Sequence, residues 1–385
     1  MSKEIRAARR VEEIKEYYFS RKLKEIADMQ AGGADIISLG IGGPDRMPPP
    51  AAIESLCDAV RRPDVHSYQS YVGLPELRRA YADWYLEKYG VVLNPDNEVL
   101  PLIGSKEGLL HISLAFLNPG DGVLVPDPGY PTYSSVSKLV GAEVFKYPLK
   151  PENYWQPDFE QLETLPLEKI RLMWVNYPHM PTGATAEYDT FKKLLAFGEK
   201  NGIVIAHDNP YSFILNPRSM SLLEVEGASN IAVELNSLSK SHNMAGWRFG
   251  MAVSNPKLIS WIMKVKSNID SGQFKPMMLA AAEALKSGSE WYEEINREYA
   301  LRREIARKIM DAIGCKYSPD QVGLFLWGRI PEEEESAEAF ADRILYNHHI
   351  FITPGSVFGR EGERYIRLSL CAPVQRLNEA LRRLL

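Results

Sequence analysis

Between about residues 99 and 275, short continuous apolar runs alternate with amphipathic stretches of helical period. The runs are VLPLIG (99–104), GVLVPD (122–127), IRLMWVN (170–176), GIVIAHD (202–208) and IAVELNS (231–237). An unbroken apolar run is what a parallel strand covered on both faces requires, and strand alternating with helix predicts an α/β unit. The pattern changes beyond residue 275. MMLAAAEALKSG opens a helical region reaching residue 314, followed by GLFLWGRI, the pair IFITP and RYIRLSL, and a helix expected to begin near Glu332, where Pro331 precedes the acidic run Glu332 to Glu335. Two or three strands with covering helices make a smaller α+β unit, which an N-terminal helix could join. The expected division is 46–275 for the large domain, with 1–45 and 276–385 forming the small domain and N-terminal arm. Gly40 to Pro50, rich in turn residues, reads as the crossing segment.

Composition narrows the partners. Of the 385 residues 45% are hydrophobic and 25% charged, an ordinary folded composition, and 45 Lys plus Arg against 50 Asp plus Glu give a net charge of -5. No basic excess exists to hold a phosphate backbone, so nucleic acid is excluded as the expected partner. The three cysteines, Cys57, Cys315 and Cys371, are far apart, and the seven histidines form no HExxH, so neither a disulfide framework nor a metal site is expected. No run reaches the ~18 apolar residues that span a bilayer, and the charged N-terminus does not read as a signal peptide; no membrane partner and a cytoplasmic location are expected.

The chemistry lies at the strand ends, where open α/β sheets bind ligands. GIVIAHD delivers Asp208, then Asn209, Pro210 and Tyr211. IAVELNS delivers Ser237, Ser239 and Lys240, with Arg248 returning before the next apolar run. VLPLIG delivers Gly104, Ser105 and Lys106 at the start of a helical pattern, where free backbone N–H groups suit a phosphate. His207, His348 and His349 read as surface or packing residues, and Cys371 as a small core residue.

The segment SLSKSHNMAGWRFG (237–250) resembles the cofactor-lysine motif of fold-type-I, class I/II pyridoxal-phosphate aminotransferases, and the resemblance runs through nearly the whole chain in order: LGIGGPD, YQSYVGLPELR, GSKEGL, DPGYPTY, NYPHMPTG, DNPY, SLSK, GLFLW, ITPGSVFG and YIRLSL. It implies a large, mainly parallel-sheet α/β/α domain with a smaller α+β domain. It also implies pyridoxal 5'-phosphate as cofactor and a homodimer with shared active sites. Lys240 would carry the cofactor and move the substrate's proton. Asp208 would keep the cofactor's ring nitrogen protonated and Tyr211 would bond its phenolic oxygen. Tyr130 would stack on the ring. Ser105, Lys106, Ser237, Ser239 and Arg248 would hold the phosphate, with Tyr68 reaching that of the neighbouring subunit. Arg367 would grip the substrate carboxylate, beside the backbone of Gly42. One position departs from the family: Met180 stands where an asparagine usually bonds the phenolic oxygen, so the cofactor's proton midpoint is expected to differ from that of relatives unless His179 or Asn209 reaches in. The N-terminal helix, with Tyr17, Tyr18, Phe19 and Leu23, would pack on the dimer or cover the active site.

The activity so implied is transfer of an α-amino group from an amino acid to a 2-oxo acid, with glutamate and 2-oxoglutarate as the shared pair. The alternatives are a lyase or synthase on the same fold, of the carbon–sulfur lyase or cyclopropane-forming type, and a non-catalytic regulator retaining it. Amino-acid specificity stays open among aspartate, alanine, aromatic, methionine and diaminopimelate substrates, with the wording of GIGGPD and GSKEGL closest to the group holding the diaminopimelate, alanine and aspartate enzymes.

Overall fold

A computed structural model describes residues 5–12 and 18–385. Tyr17, expected in the N-terminal helix, lies outside the described residues; the helix itself is seen over Tyr18–Ala31. The strands run β1 (Ile37–Ser38), β2 (Val99–Leu102), β3 (Gly122–Asp127), β4 (Glu143–Pro148), β5 (Ile170–Val175), β6 (Val204–Asp208), β7 (Ala232–Ser237) and β8 (Gly250–Val253). They continue with β9 (Lys316–Tyr317), β10 (Phe325–Arg329), β11 (Ile350–Phe351), β12 (Thr353–Pro354) and β13 (Tyr365–Ser369).

The large sheet has seven strands in the order β2-β8-β7-β6-β5-β3-β4. Strands β4, β3, β5, β6 and β7 are parallel, whereas β8 pairs antiparallel with both β7 and β2. Reversing twice returns β2 to the common direction, so every strand but β8 ends at one edge. All five apolar runs are strands here, and β2, β3 and β7 are buried along their whole length, as a sheet clad by helices on both faces requires. The helices that clad it include Ser105–Phe116 and Pro256–Lys266 on one side and Tyr188–Asn201 on the other.

The C-terminal part builds a second, four-stranded antiparallel sheet, β12-β13-β10-β9, packed with the long helix Ser289–Ala312 and with Ala337–His348. Its core also takes Phe19, Ile26 and Ile36 from the N-terminal segment, and β1 pairs parallel with β11, Ile37 opposite Ile350. The two ends of the chain are therefore tied to one another by both backbone and core.

The helix expected near Glu332 starts later. Residues 332–335 form turns, and Ser336 caps the helix by accepting the Ala339 N–H at 3.1 Å. Position 336 offers a hydroxyl to an orphan helix donor, and Pro331 serves the preceding turn instead of the first helical position. Arg364 anchors that turn, donating at 2.6 Å to the carbonyls of Pro331 and Glu334.

Candidate active site

Six of the seven strands of the large sheet point one way, and the polar residues at their carboxyl ends meet in one cavity of about 530 Å³. Asp208 is the last residue of β6, Ser237 the last of β7, and Gly104-Ser105 follows β2 into the helix Ser105–Phe116. Because β8 runs backwards, Arg248, two residues before its start, arrives at the same edge. Of the residues expected in the site, Lys240, Asp208, Tyr211, Ser105, Lys106, Tyr130, Ser237, Ser239, Arg248, Arg367 and Gly42 all line this cavity. Tyr68 does not: it is 90% exposed, outside the cavity of its own chain.

Asp208 is buried. Its Oδ2 accepts the Tyr133 hydroxyl at 2.9 Å, its backbone carbonyl accepts the Asn176 amide at 2.6 Å, and Oδ1 has no partner. Burial pushes its carboxyl up to about 6, held back by the Tyr133 hydrogen bond and by the charges of His207 and Lys240. Lys240 follows Ser239 in a single turn of helix, Leu238–Ser241, which Ser237 caps by accepting the Ser239 N–H. Burial pushes the Lys240 amine below the usual lysine range, the charges of Arg367 and Arg248 push it further, and its Nζ donates to the Gly42 carbonyl. Tyr211 is pushed well above the phenol range, chiefly by burial, and is a neutral donor at ordinary pH.

Arg248 adopts the left-handed conformation, φ +59°, and its guanidinium donates to the Ala245 carbonyl at 2.9 Å. It lies over Gly104, where φ is +76° and an added Cβ would sit 2.3 Å from Arg248 Nη2. Only glycine suits both the torsion and the approach. The hydroxyl of Ser237 donates to the Phe249 carbonyl at 3.0 Å, so that residue builds the lysine turn while lining the cavity.

Arg367, from the middle of β13, enters from the second sheet. Its Nη2 donates to the Gly40 carbonyl at 2.7 Å and Nη1 lies 3.3 Å from the Met180 sulfur. The guanidinium stacks over Phe325 at 4.0 Å and Phe358 at 4.7 Å. Phe19 from the N-terminal helix lines the cavity too, agreeing with a helix that covers the site. Neither residue expected to replace the missing asparagine lines the cavity. His179 bonds Thr182 at 2.8 Å and is pushed by burial down to about 3; Asn209 donates to the Met220 carbonyl at 3.0 Å.

Several site residues escape the sequence reading. Tyr133, three residues after Tyr130 and so on the same face of the helix start, is the hydrogen-bond donor to Asp208. Phe325 and Phe358 frame Arg367. Both phenylalanines sit in quoted motifs, but an aromatic in an apolar run reads as core until the arginine is placed against it.

A mixed sheet with a lysine, an acid and an arginine gathered at its edge defines a fold-type-I transferase. Residues 34–384 match the family model described as Aminotransferase class I and II, and the chain belongs to that family. It is 42% identical over 382 residues to an LL-diaminopimelate aminotransferase of Dehalococcoides mccartyi, covering 99% of this chain and 98% of the relative, and 40% identical over 370 residues to the enzyme of that name from Aquifex aeolicus, covering 96% and 95%. Among solved structures, substrate-bound BacF from Bacillus subtilis superposes with a TM-score of 0.94 at 35% identity, covering 99% of this chain and 97% of that one. A Thermus thermophilus aspartate aminotransferase mutant, at 24% identity and a TM-score of 0.91 over 99% of each chain, shares the fold. The protein is accordingly a transaminase, which transfers an amino group from an amino acid to a 2-oxo acid.

Proposed function

We propose that the cavity holds pyridoxal 5'-phosphate and that Lys240 is its point of attachment. The observation that carries this reading is the pairing, in one buried cavity, of an amine depressed by burial with a buried carboxylate whose Oδ1 lacks a partner. That oxygen has lost water without gaining a donor, and a protonated ring nitrogen would satisfy both its charge and its lone pair. The donor set fits the other end of the cofactor equally well: Ser105, Ser239 and Arg248 line the same cavity at the N-terminus of the helix Ser105–Phe116, and the missing side chain of Gly104 lets the Arg248 guanidinium come in close.

When bound, the cofactor supplies an electron sink for the bond broken at the substrate's α-carbon. The chain's residues do the rest. Lys240, its amine pushed below the usual lysine range by burial, takes the α-proton and returns it. Tyr211 donates its hydroxyl proton into the cavity, and Tyr130 walls one side. Arg367 fixes the substrate carboxylate through a planar fork whose aromatic walls exclude water and thereby strengthen the ion pair. The small-domain strand that bears Arg367 thus sets which bond is aligned for breaking.

LL-Diaminopimelate is the proposed amino donor, supported by the names of relatives at about 40% identity, and 2-oxoglutarate the proposed acceptor. The division into a large domain of 46–275 and a small one of 1–45 with 276–385 is part of the same reading, supported by the shared core of the two chain ends. A homodimer is proposed as well. Met47, Tyr68, Tyr71, Ile269 and Phe274 are exposed, and the segment 66–74 packs on 266–274, where Lys266 donates to the Tyr71 carbonyl at 3.2 Å and the His66 and Phe274 rings lie 6.0 Å apart. No described helix is long and apolar enough to cross a membrane, and all three cysteines are free, in keeping with the proposed cytoplasmic location.

The test is covalent and spectroscopic. Protein incubated with pyridoxal phosphate, reduced with borohydride and digested should yield one modified peptide, bearing the adduct on Lys240, and Lys240→Ala should yield none. An adduct elsewhere, or no adduct, overturns the reading. Mixed with LL-diaminopimelate alone, the loaded enzyme should lose its absorbance and recover it on addition of 2-oxoglutarate.

A further inference from the structure

Strand β3 ends on Asp127, a buried side chain that stands at the same sheet edge as Asp208 but does not line the cavity. Its carboxyl oxygens turn instead to the C-terminal part of the chain. Oδ2 accepts the backbone N–H of Arg360 at 3.2 Å and Oδ1 that of Glu361 at 3.1 Å. These two donors open the short turn Arg360–Gly362, which by itself leaves them without partners. The residue placed to cap them is Gly359, at φ +139°, and a Cβ there would sit 2.0 Å from Asp127 Oδ1. The local position is thus emptied of side chain, and the cap comes from 233 positions before Arg360.

A further bond joins the same two segments: the Gly129 N–H donates to the Phe358 carbonyl at 2.9 Å. The backbone around Phe358 is therefore fastened to the end of β3. Of the two rings on which the Arg367 guanidinium stacks, Phe325 belongs to β10, which pairs directly with β13 and holds its ring through the ladder. Phe358, at 4.7 Å, lies in the short turn Gly355–Phe358, outside the strands, so its place is set by what its backbone is tied to. Lys146, which reaches Asp127 Oδ2 at 2.9 Å, is about half exposed, and an exposed ion pair contributes little to holding the turn.

We propose that Asp127 is a positioning residue for substrate binding: by capping the turn after Phe358 from the end of β3, it holds the Phe358 ring against Arg367 and fixes where that guanidinium stands relative to Lys240. The role rests on the reading above that Arg367 grips the substrate carboxylate.

The first measurement needs no variant. In the cofactor-free full chain, hydrogen exchange should show the amides of Arg360 and Glu361 protected, and Asp127→Ala should release them; fast exchange in the unaltered protein overturns the proposal. In steady-state kinetics of the loaded enzyme, Asp127→Ala should raise KM for both amino acid and 2-oxo acid by about tenfold with a smaller change in kcat, and leave the dissociation constant of pyridoxal phosphate within about twofold. Asp127→Asn keeps one accepting oxygen, should show the same pattern at smaller size, and serves if the alanine variant does not fold. Lys146→Gln removes the ion pair, leaves both backbone bonds, and should keep KM unchanged. A merely structural cap would lower thermal stability in Asp127→Ala and leave KM where it was, which overturns the positioning role. In a Phe358→Leu background the KM effect of Asp127→Ala should largely vanish, because both changes act on one ring; full additivity overturns the route through Phe358. Failure of the carboxylate reading is separately visible as an unchanged KM in Arg367→Lys.

Discussion

Replacing Asp208 with asparagine should stabilise the cofactor-free protein at high pH while abolishing the activity of the loaded enzyme. The native carboxyl titrates near 6 because it is buried, roughly two units above the value of about 3.9 in an unfolded chain. The folded state therefore binds this proton more tightly than the unfolded state, and stability falls as pH rises through the window between those two values. Two units correspond to about 3 kcal/mol, absent below about pH 3.5 and fully expressed above about pH 7. Asparagine keeps an oxygen to accept the Tyr133 hydroxyl and carries no charge, so the variant lacks this pH-dependent cost. Its buried amide adds a constant penalty of about 1–3 kcal/mol if it finds no acceptor. The quantity to measure is thus a slope. Urea unfolding of both cofactor-free proteins, at one protein concentration and several pH values, should show the variant gaining about 2.5 kcal/mol on the wild type between about pH 4 and pH 8. A difference that is flat across that range would show that Asp208 is not held as a buried, strained carboxylate, and the electrostatic case for its cofactor role would fail with it.

Arg367→Lys keeps the charge but loses the planar fork; steady-state kinetics should show KM for both amino acid and 2-oxo acid raised by about 100-fold with a smaller change in kcat, and an unchanged KM would place the carboxylate elsewhere. Gly104→Ala pushes a Cβ to 2.3 Å from Arg248 Nη2 at a φ of +76°, so a titration with pyridoxal phosphate should give a dissociation constant at least about tenfold weaker. Met180→Asn restores a donor that neither His179 nor Asn209 provides; the pH midpoint of the cofactor absorbance should fall, and identical midpoints would show that another group already supplies it.

Much of the site is legible one residue at a time. Asp208 and Ser237 end apolar runs, and an open parallel sheet collects whatever stands at the ends of its strands. Lys240 and Arg248 stand out through the resemblance of one fourteen-residue segment to the cofactor-lysine motif of the family. The reading is weaker where neighbours decide. His207 sits beside Asp208 in an apolar run and looks like packing; its partner Glu234 comes 27 residues later and meets it only through the register of β6 on β7. Phe325 and Phe358 likewise become site residues only when β13 brings Arg367 between them. The Ala337–His348 helix starts at its Ser336 cap and not at Glu332 for a reason no local pattern carries: Arg364, 33 residues beyond Pro331, ties down the intervening turn.

By itself, the sequence determined the strand-helix alternation, the direction-setting apolar runs and the chemical character of their ends, because period and composition act over a few residues and need no partner. Tertiary structure decided charge state and grip. How far burial raises the Asp208 carboxyl and lowers the Lys240 amine, and what surrounds Arg367, all depend on how much water is excluded and which charges lie within a few ångströms, and those distances join residues that are far apart in the chain.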